Sequence, residues 1–279
     1  MSVLPARFAR PYREGAPRVA GILLGVLLVL AAIAPLIAPF AADAIDLAHR
    51  RDTPSFSHWF GTDELGRDVL TRILFGARVS LSIGLLSALV SVALGAAVGA
   101  VAGYARGWVD DLLMRLTDAM LAIPRLPLLM IISAVLQPNV PLLILLVGAA
   151  GWMETARIVR ADVLSLSARD FVAAARASGA TPRRVVWRHV LPGVIPAASV
   201  ATTLAIGRGI LLESALSFFG VGVQPPTASW GNMLYQAQTT MTSEPWLAIV
   251  PGIMIFSTVL TCNAVGDAIA NANSATAAS

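Results

Sequence analysis

The sequence contains no lysine; all 20 of its basic residues are arginine. A glycine-rich phosphate loop closing on Lys-Ser/Thr is therefore absent, which excludes Walker-type ATP hydrolysis by this chain. The arginine-only usage reflects coding composition rather than site chemistry. A single cysteine, Cys262, lies in an apolar run, so an internal disulfide and a cysteine metal cluster are both excluded. The three histidines, His49, His58 and His189, are too scattered in sequence to suggest a metal site. Charged residues make up only 13% of the chain, about half the usual share of a soluble domain (~25%). No Ser/His/Asp set, HExxH stretch or paired-carboxylate arrangement points to a membrane enzyme.

What is present is apolar: 57% of the 279 residues are hydrophobic, and the mean hydropathy is +0.75. A net charge of +4 would suit nucleic acid, yet this hydrophobicity argues first for a bilayer. A spanning helix needs about 20 mostly apolar residues. Six segments qualify, at 19–40, 79–104, 116–136, 140–160, 194–220 and 247–270. The expected fold is an all-α membrane protein with six transmembrane helices. "QPNV" between the third and fourth predicts a tight hairpin. The first segment, with arginines ahead of it and "PFAADA" behind, also has features of a signal peptide. Its apolar run is longer than such leaders use, so a retained anchor is expected.

Arginine placement sets the orientation. With the N-terminus inside, thirteen arginines fall in inside segments and five, Arg50, Arg51, Arg67, Arg72 and Arg78, outside. Both termini are then cytoplasmic, and so is the basic stretch "FVAAARASGATPRRVVWRHVLP" at 171–192. "SARD" at 167–170 fits a capping pattern and predicts a helix start at Ser167. Gly179 supplies a stop, Thr181-Pro182 a restart, and Pro192 an end or kink before the fifth span. The product is two short helices with a bend at Gly179-Ala180. A positive-inside loop explains its arginines; a docking element also explains its small residues. Close apolar spans on both sides exclude a DNA-binding role.

This stretch resembles the cytoplasmic signature of bacterial ABC importer permeases: Glu-Ala-Ala, three residues, Gly, nine residues, Ile, one residue, Leu-Pro. Ala174, Ala175, Gly179, Leu191 and Pro192 stand at the matching spacings, with Ala173 and His189 in place of the glutamate and isoleucine. "HWFGTDELGRDVLTRILFGARVSLSIG" (58–84) and "ESALSFFGVGVQPPTASWGNML" (213–234) resemble the dipeptide/oligopeptide/nickel permease family, and its C-type subunit in particular.

The resemblance implies a type I importer permease fold. It divides the chain into residues 1–57 (tail, first span and start of the outside segment) and a 58–279 core of five spans with the coupling loop 165–193. It implies an ATP-driven importer in the bacterial inner membrane, with dipeptides or oligopeptides as substrates and nickel or another small solute as the alternative. The implied partners are a second permease, two ATP-binding subunits or a fused ATPase, an extracytoplasmic substrate-binding protein and membrane lipid, but no nucleic acid. ATP and Mg would bind the ATPase, so the chain needs no cofactor or metal of its own. From another class, a secondary transporter or channel would rely on carboxylates inside spans, for which Glu213 and Asp267 are candidates.

The implied coupling residues are Ala174, Ala175, Gly179, Arg183, Arg184, Arg188, Leu191 and Pro192. The three arginines meet either acidic groups of the ATPase or the lipid surface. Arg208 and Glu213 lie within the fifth span, either as inter-subunit partners or lining the path. Asp118 and Arg125, at the start of the third span, are read as structural. Asp63, Glu64, Arg67 and Asp68 read as a solvated amphipathic stretch rather than a metal site. With Trp230 they are candidates for contact with the binding protein.

Overall fold

Caps and breakers set the helix boundaries in the computed structural model, which describes the backbone of residues 15–278 and the side chains of 18–273 apart from 176, 182, 183 and 189. Among the described residues the fold is helical, with one isolated bridge between Thr62 and Asp68. In chain order the helices are α1 (Gly15–Ile37), α2 (Val69–Ala105), α3 (Gly107–Ala122), α4 (Arg125–Leu136), α5 (Val140–Ala149) and α6 (Trp152–Ser167). They continue as α7 (Asp170–Ala177), α8 (Pro182–Val185), α9 (Leu191–Phe218), α10 (Trp230–Ala237) and α11 (Trp246–Ala278). Among the described residues four unbroken helices, α1, α2, α9 and α11, are long and apolar enough to cross a membrane, and there are up to six such crossings if each of two bent pairs counts as one.

Three boundaries differ from the sequence expectation. The second span begins at Val69, ten residues before the apolar run, because the Asp68 side chain caps it by accepting from the Thr71 N–H at 2.8 Å. The third span is two helices, α3 and α4, bent by 79°. Pro124 forces Ile123 into an extended conformation (φ −81°, ψ 124°), which ends α3. The fourth span is α5 and α6, bent by 45° at Ala150-Gly151. The hairpin between α4 and α5 forms as expected, with Gln137 left-handed and Asn139 accepting from the Leu142 N–H at 3.0 Å.

The α2–α6 contact is set by glycine. A Cβ on Gly95 would stand 2.5 Å from the Trp152 carbonyl oxygen, one on Gly99 2.4 Å from that of Ala156, and one on Gly103 2.9 Å from that of Arg160. Spaced four apart, the three form a backbone-to-backbone seam of the kind small residues allow in membranes. Three apolar cores flank it: one joins α1, α2, α9, α10 and α11, another α2, α4, α5 and α9. The third consists of six buried valines, Val159, Val163, Val172, Val185, Val190 and Val194, and ties α7 and α8 to α6 and α9.

Candidate functional site

At one end of the bundle α7 and α8 form an elbow. Gly179 has φ +81°, a value that favours glycine, and the Ala180 N–H donates to the Ala175 carbonyl at 3.1 Å. That six-to-one bond closes a Schellman motif with Gly179 just past the helix end. Thr181 restarts the chain as predicted, its Oγ1 3.4 Å from the Arg184 N–H. Ser167, expected to start the first short helix, is instead the last residue of α6, and its buried hydroxyl makes no capping bond. Nor does Pro192 end the second. Residues Val186–Val190 form a π-helical turn that runs directly into α9, and the Leu191 N–H reaches back to the Val186 carbonyl. Wider π spacing carries the helix past Pro192, whose missing N–H falls in the first turn of α9.

The elbow has a buried side and an exposed side. Val172 and Val185 are fully buried, while Phe171, Ala174, Gly179, Arg184, Trp187, Arg188 and Pro192 are exposed and Ala175 and Leu191 half-buried. Among the described residues nothing lies within 4 Å of a Cβ on Gly179. The Arg183 side chain lies outside the described residues.

Glu213 is not on an open face: its exposure is 0%. It accepts from Ser80 Oγ at 3.1 Å and Ser217 Oγ at 2.8 Å, and Ser214 Oγ lies 3.5 Å away. Ser80 Oγ accepts the Trp230 N–H at 3.2 Å, and Ser217 Oγ the Val223 N–H at 3.0 Å. One carboxylate therefore ties α2 and α9 to α10 and the loop before it. Its partners lie within this chain, which replaces both sequence readings of the residue.

The solvated reading of "GTDELGRD" is also overturned. Asp63, Arg67, Asp68 and Trp230 are buried. Asp63 accepts from Arg67 Nε at 2.7 Å and from the Leu65 and Arg67 N–H groups, with Arg72 Nε 3.5 Å away. Arg67 and Arg72 also converge on Gln236 Oε1 of α10, at 2.9 and 3.2 Å. Gly66 (φ +75°) sits so close to Asp46 that a Cβ would fall 1.7 Å from its carbonyl oxygen. Alternating charges here knot the connection between α1 and α2 onto α2 and α10. Among the five candidates for binding-protein contact, Glu64 is the one whose residue remains partly exposed. Among the described residues no group of His, Cys, Asp or Glu could hold a metal ion.

Arg208 finds its partner in Glu154, a residue not singled out from sequence. Arg125 donates to the same carboxylate from Nη2 at 2.8 Å. Asp118 pairs with Arg157, so Asp118 and Arg125 take separate partners. Glu154 and Arg208 are 54 residues apart, a separation no helical spacing rule detects.

Residues 95–275 match the family described as "Binding-protein-dependent transport system inner membrane component". The chain is 38% identical over 261 residues to the glutathione transport system permease protein GsiD of Escherichia coli O6:K15:H31, covering 93% of this chain and 86% of that one. It is 39% identical, over the same shares, to that of Shigella dysenteriae serotype 1. A chain of the MetNI methionine ABC transporter in an inward-facing conformation shares the fold, with a TM-score of 0.57 and 18% identity over 72% of this chain and 97% of that one. Such a subunit is a multi-pass protein of the inner membrane that works with ATPase and substrate-binding partners. The chain belongs to the binding-protein-dependent transport system inner membrane component family and is the permease subunit of an ABC importer.

Proposed function

We propose that this permease serves an importer of peptide-like solutes, forms half of the pore beside a second, different permease, and is driven through the α7–α8 elbow. The substrate class is supported by the likeness to a permease for glutathione, a tripeptide, across 93% of the chain. Arginine placement supports cytoplasmic termini, with the elbow on the cytoplasmic side. The missing lysine supports assigning ATP and Mg to partner subunits and no ATPase site to this chain.

The observation that carries the coupling role is the elbow itself: an exposed, Schellman-closed bend rooted on six buried valines. Ala174, Ala175 and Gly179 let the ATPase surface approach closely, and the π turn carries a push through Leu191 and Pro192 into α9. Arg184 and Arg188, exposed beside the bend, and Arg183 would meet acidic groups of the ATPase. Glu64 is the remaining candidate for contact with the binding protein.

The test is reconstitution with both ATPases, the second permease and the binding protein. Gly179→Ala and Gly179→Leu share the same backbone strain, about 1–2 kcal/mol at a left-handed position. They differ in bulk that would project from the exposed bend toward a docked partner, since no described residue lies within 4 Å of the Cβ position. Gly179→Leu is expected to lower uptake at least about tenfold relative to Gly179→Ala while the complex still co-purifies. Equal uptake by the two variants refutes docking at Gly179, and uptake without ATP refutes the importer reading.

A further inference from the structure

The two bent spans bring Arg125, just past the first break, and Glu154, just past the second, to one small cavity, and charge gathers there. Arg208 stands ten residues from the end of α9, about 15 Å, which is half the roughly 30 Å hydrocarbon thickness. Glu154 lies in the first turn of α6 and Arg125 at the start of α4. Glu154 gives Oε1 to Arg125 and Oε2 to Arg208, so one carboxylate serves two guanidinium groups and one positive charge is left over. The caps of α4 and α6, Pro124 and Gly151, make no side-chain capping bond, so no capping side chain offsets the positive end of either helix.

A second observation points to a ligand. Ser91 on α2 is 4% exposed, its Oγ has no partner, and it lines a cavity of about 40 Å³ together with Arg125, Glu154, Thr155 and Arg208. A water needs roughly 10–15 Å³ of such space, so the cavity takes a group of a few heavy atoms, such as a carboxylate head, and not a whole solute. The remainder would lie toward the open side, where the side chains of Arg208 and Glu154 are 52% and 36% exposed. Excess positive charge, two helix starts without capping side chains and an idle hydroxyl all favour an anion. Ionisable residues inside membranes mark solute pathways, and broken helices aim their N-termini at anionic groups.

We propose that Arg125, Arg208 and Ser91 form a transient carboxylate station on the translocation path, which takes the terminal carboxylate of a passing peptide. Glu154 holds the two guanidinium groups between passages. With substrate present, two carboxylates meet two guanidinium groups and the station is neutral. The proposal rests on the peptide reading above.

The test uses the complete importer in proteoliposomes. Uptake of one dipeptide is compared with uptake of its C-terminal amide, each delivered on saturated binding protein. A hydrogen bond to a charged group contributes about 1.5–3 kcal/mol, so the wild type should favour the acid by at least about tenfold. Arg208→Gln and Arg125→Gln should each lower that acid-to-amide ratio by about tenfold, and Arg208→Lys should hold it within about threefold of wild type. A merely structural role would lower both uptakes and leave the ratio where it was, which overturns the station. Equal wild-type uptake of acid and amide also overturns it, while the peptide reading stands. If the wild type imports neither, the peptide reading has failed and the station falls with it.

Discussion

Replacing Gly99 by alanine tests the seam that holds α2 to α6. The new Cβ would fall 2.4 Å from the Ala156 carbonyl oxygen and 3.0 Å from both the Arg160 nitrogen and Val159 Cβ. A carbon–oxygen contact settles near 3.3 Å, so the helices must part by roughly 1 Å. Overpacking of this kind costs about 1–3 kcal/mol. Gly25 of α1 provides the control, because nothing lies within 4 Å of its Cβ. Both substitutions gain the same helix preference of alanine over glycine, about 0.5–1 kcal/mol, which cancels in the comparison. Gly99→Ala should therefore be less stable than Gly25→Ala by about 1–3 kcal/mol. At roughly 2–4 °C per kcal/mol for a chain of this size, that is a gap of about 2–12 °C.

The chain carries its own reporter: Cys262 is its one thiol and is buried. A thiol-reactive fluorophore added to the detergent-purified permease follows unfolding as Cys262 becomes accessible. If Gly99→Ala melts with Gly25→Ala or above it, the backbone-contact account of the seam is wrong.

Asp63→Asn should lower the same melting temperature sharply. It strips the buried Arg67 of its carboxylate partner, a change that typically costs about 3–5 kcal/mol. A shift under about 2 °C would refute the knot. His49 pairs with Asp46 at 2.8 Å, and that hydrogen bond raises the imidazole pKa above its ordinary 6.5. The pairing favours the folded state fully below the unfolded value and is lost as pH rises through the folded one. An NMR titration should place His49 above 6.5 and Asp46→Asn should bring it down; no change on substitution removes the pairing.

Long apolar runs, Gly179 and Thr181-Pro182 were legible in the sequence, since each acts through local hydropathy or local backbone preference. The expected spans, hairpin and bend follow from them. The early start of α2 was hidden because Thr71 and Arg72 are polar, and only tertiary partners, Asp63 and Gln236, make burying Arg72 tolerable. The bend at Pro124 was carried by a visible proline, but the surrounding hydropathy masked it. Burial of "GTDELGRD" was invisible because charge alternation looks the same on a solvated helix and in a closed knot. Glu154 escaped notice as a lone acid at a span end, and its meaning comes from Arg125 and Arg208, 29 residues before it and 54 after it.

The two helices that root the elbow are also the two that carry the Glu154–Arg208 ion pair. Val159 and Val163 of α6 and Val194 of α9 belong to the valine core under α7 and α8. Farther along the same two rods stand Glu154 and Arg208. Glu154 is five residues from Val159, about 7.5 Å, and Arg208 fourteen from Val194, about 21 Å. Gly95, Gly99 and Gly103 fix α6 to α2 backbone to backbone, so α6 resists bending along its own length. Under the coupling role proposed for the elbow, a push on it would be resolved into a displacement of α6 against α9. The Glu154–Arg208 pair spans that boundary and cannot keep its geometry through such a displacement. Coupling requires contacts that differ between two states. An ion pair strung between α6 and α9 would supply such a contact, beside a Ser91 hydroxyl that has no partner among the described residues.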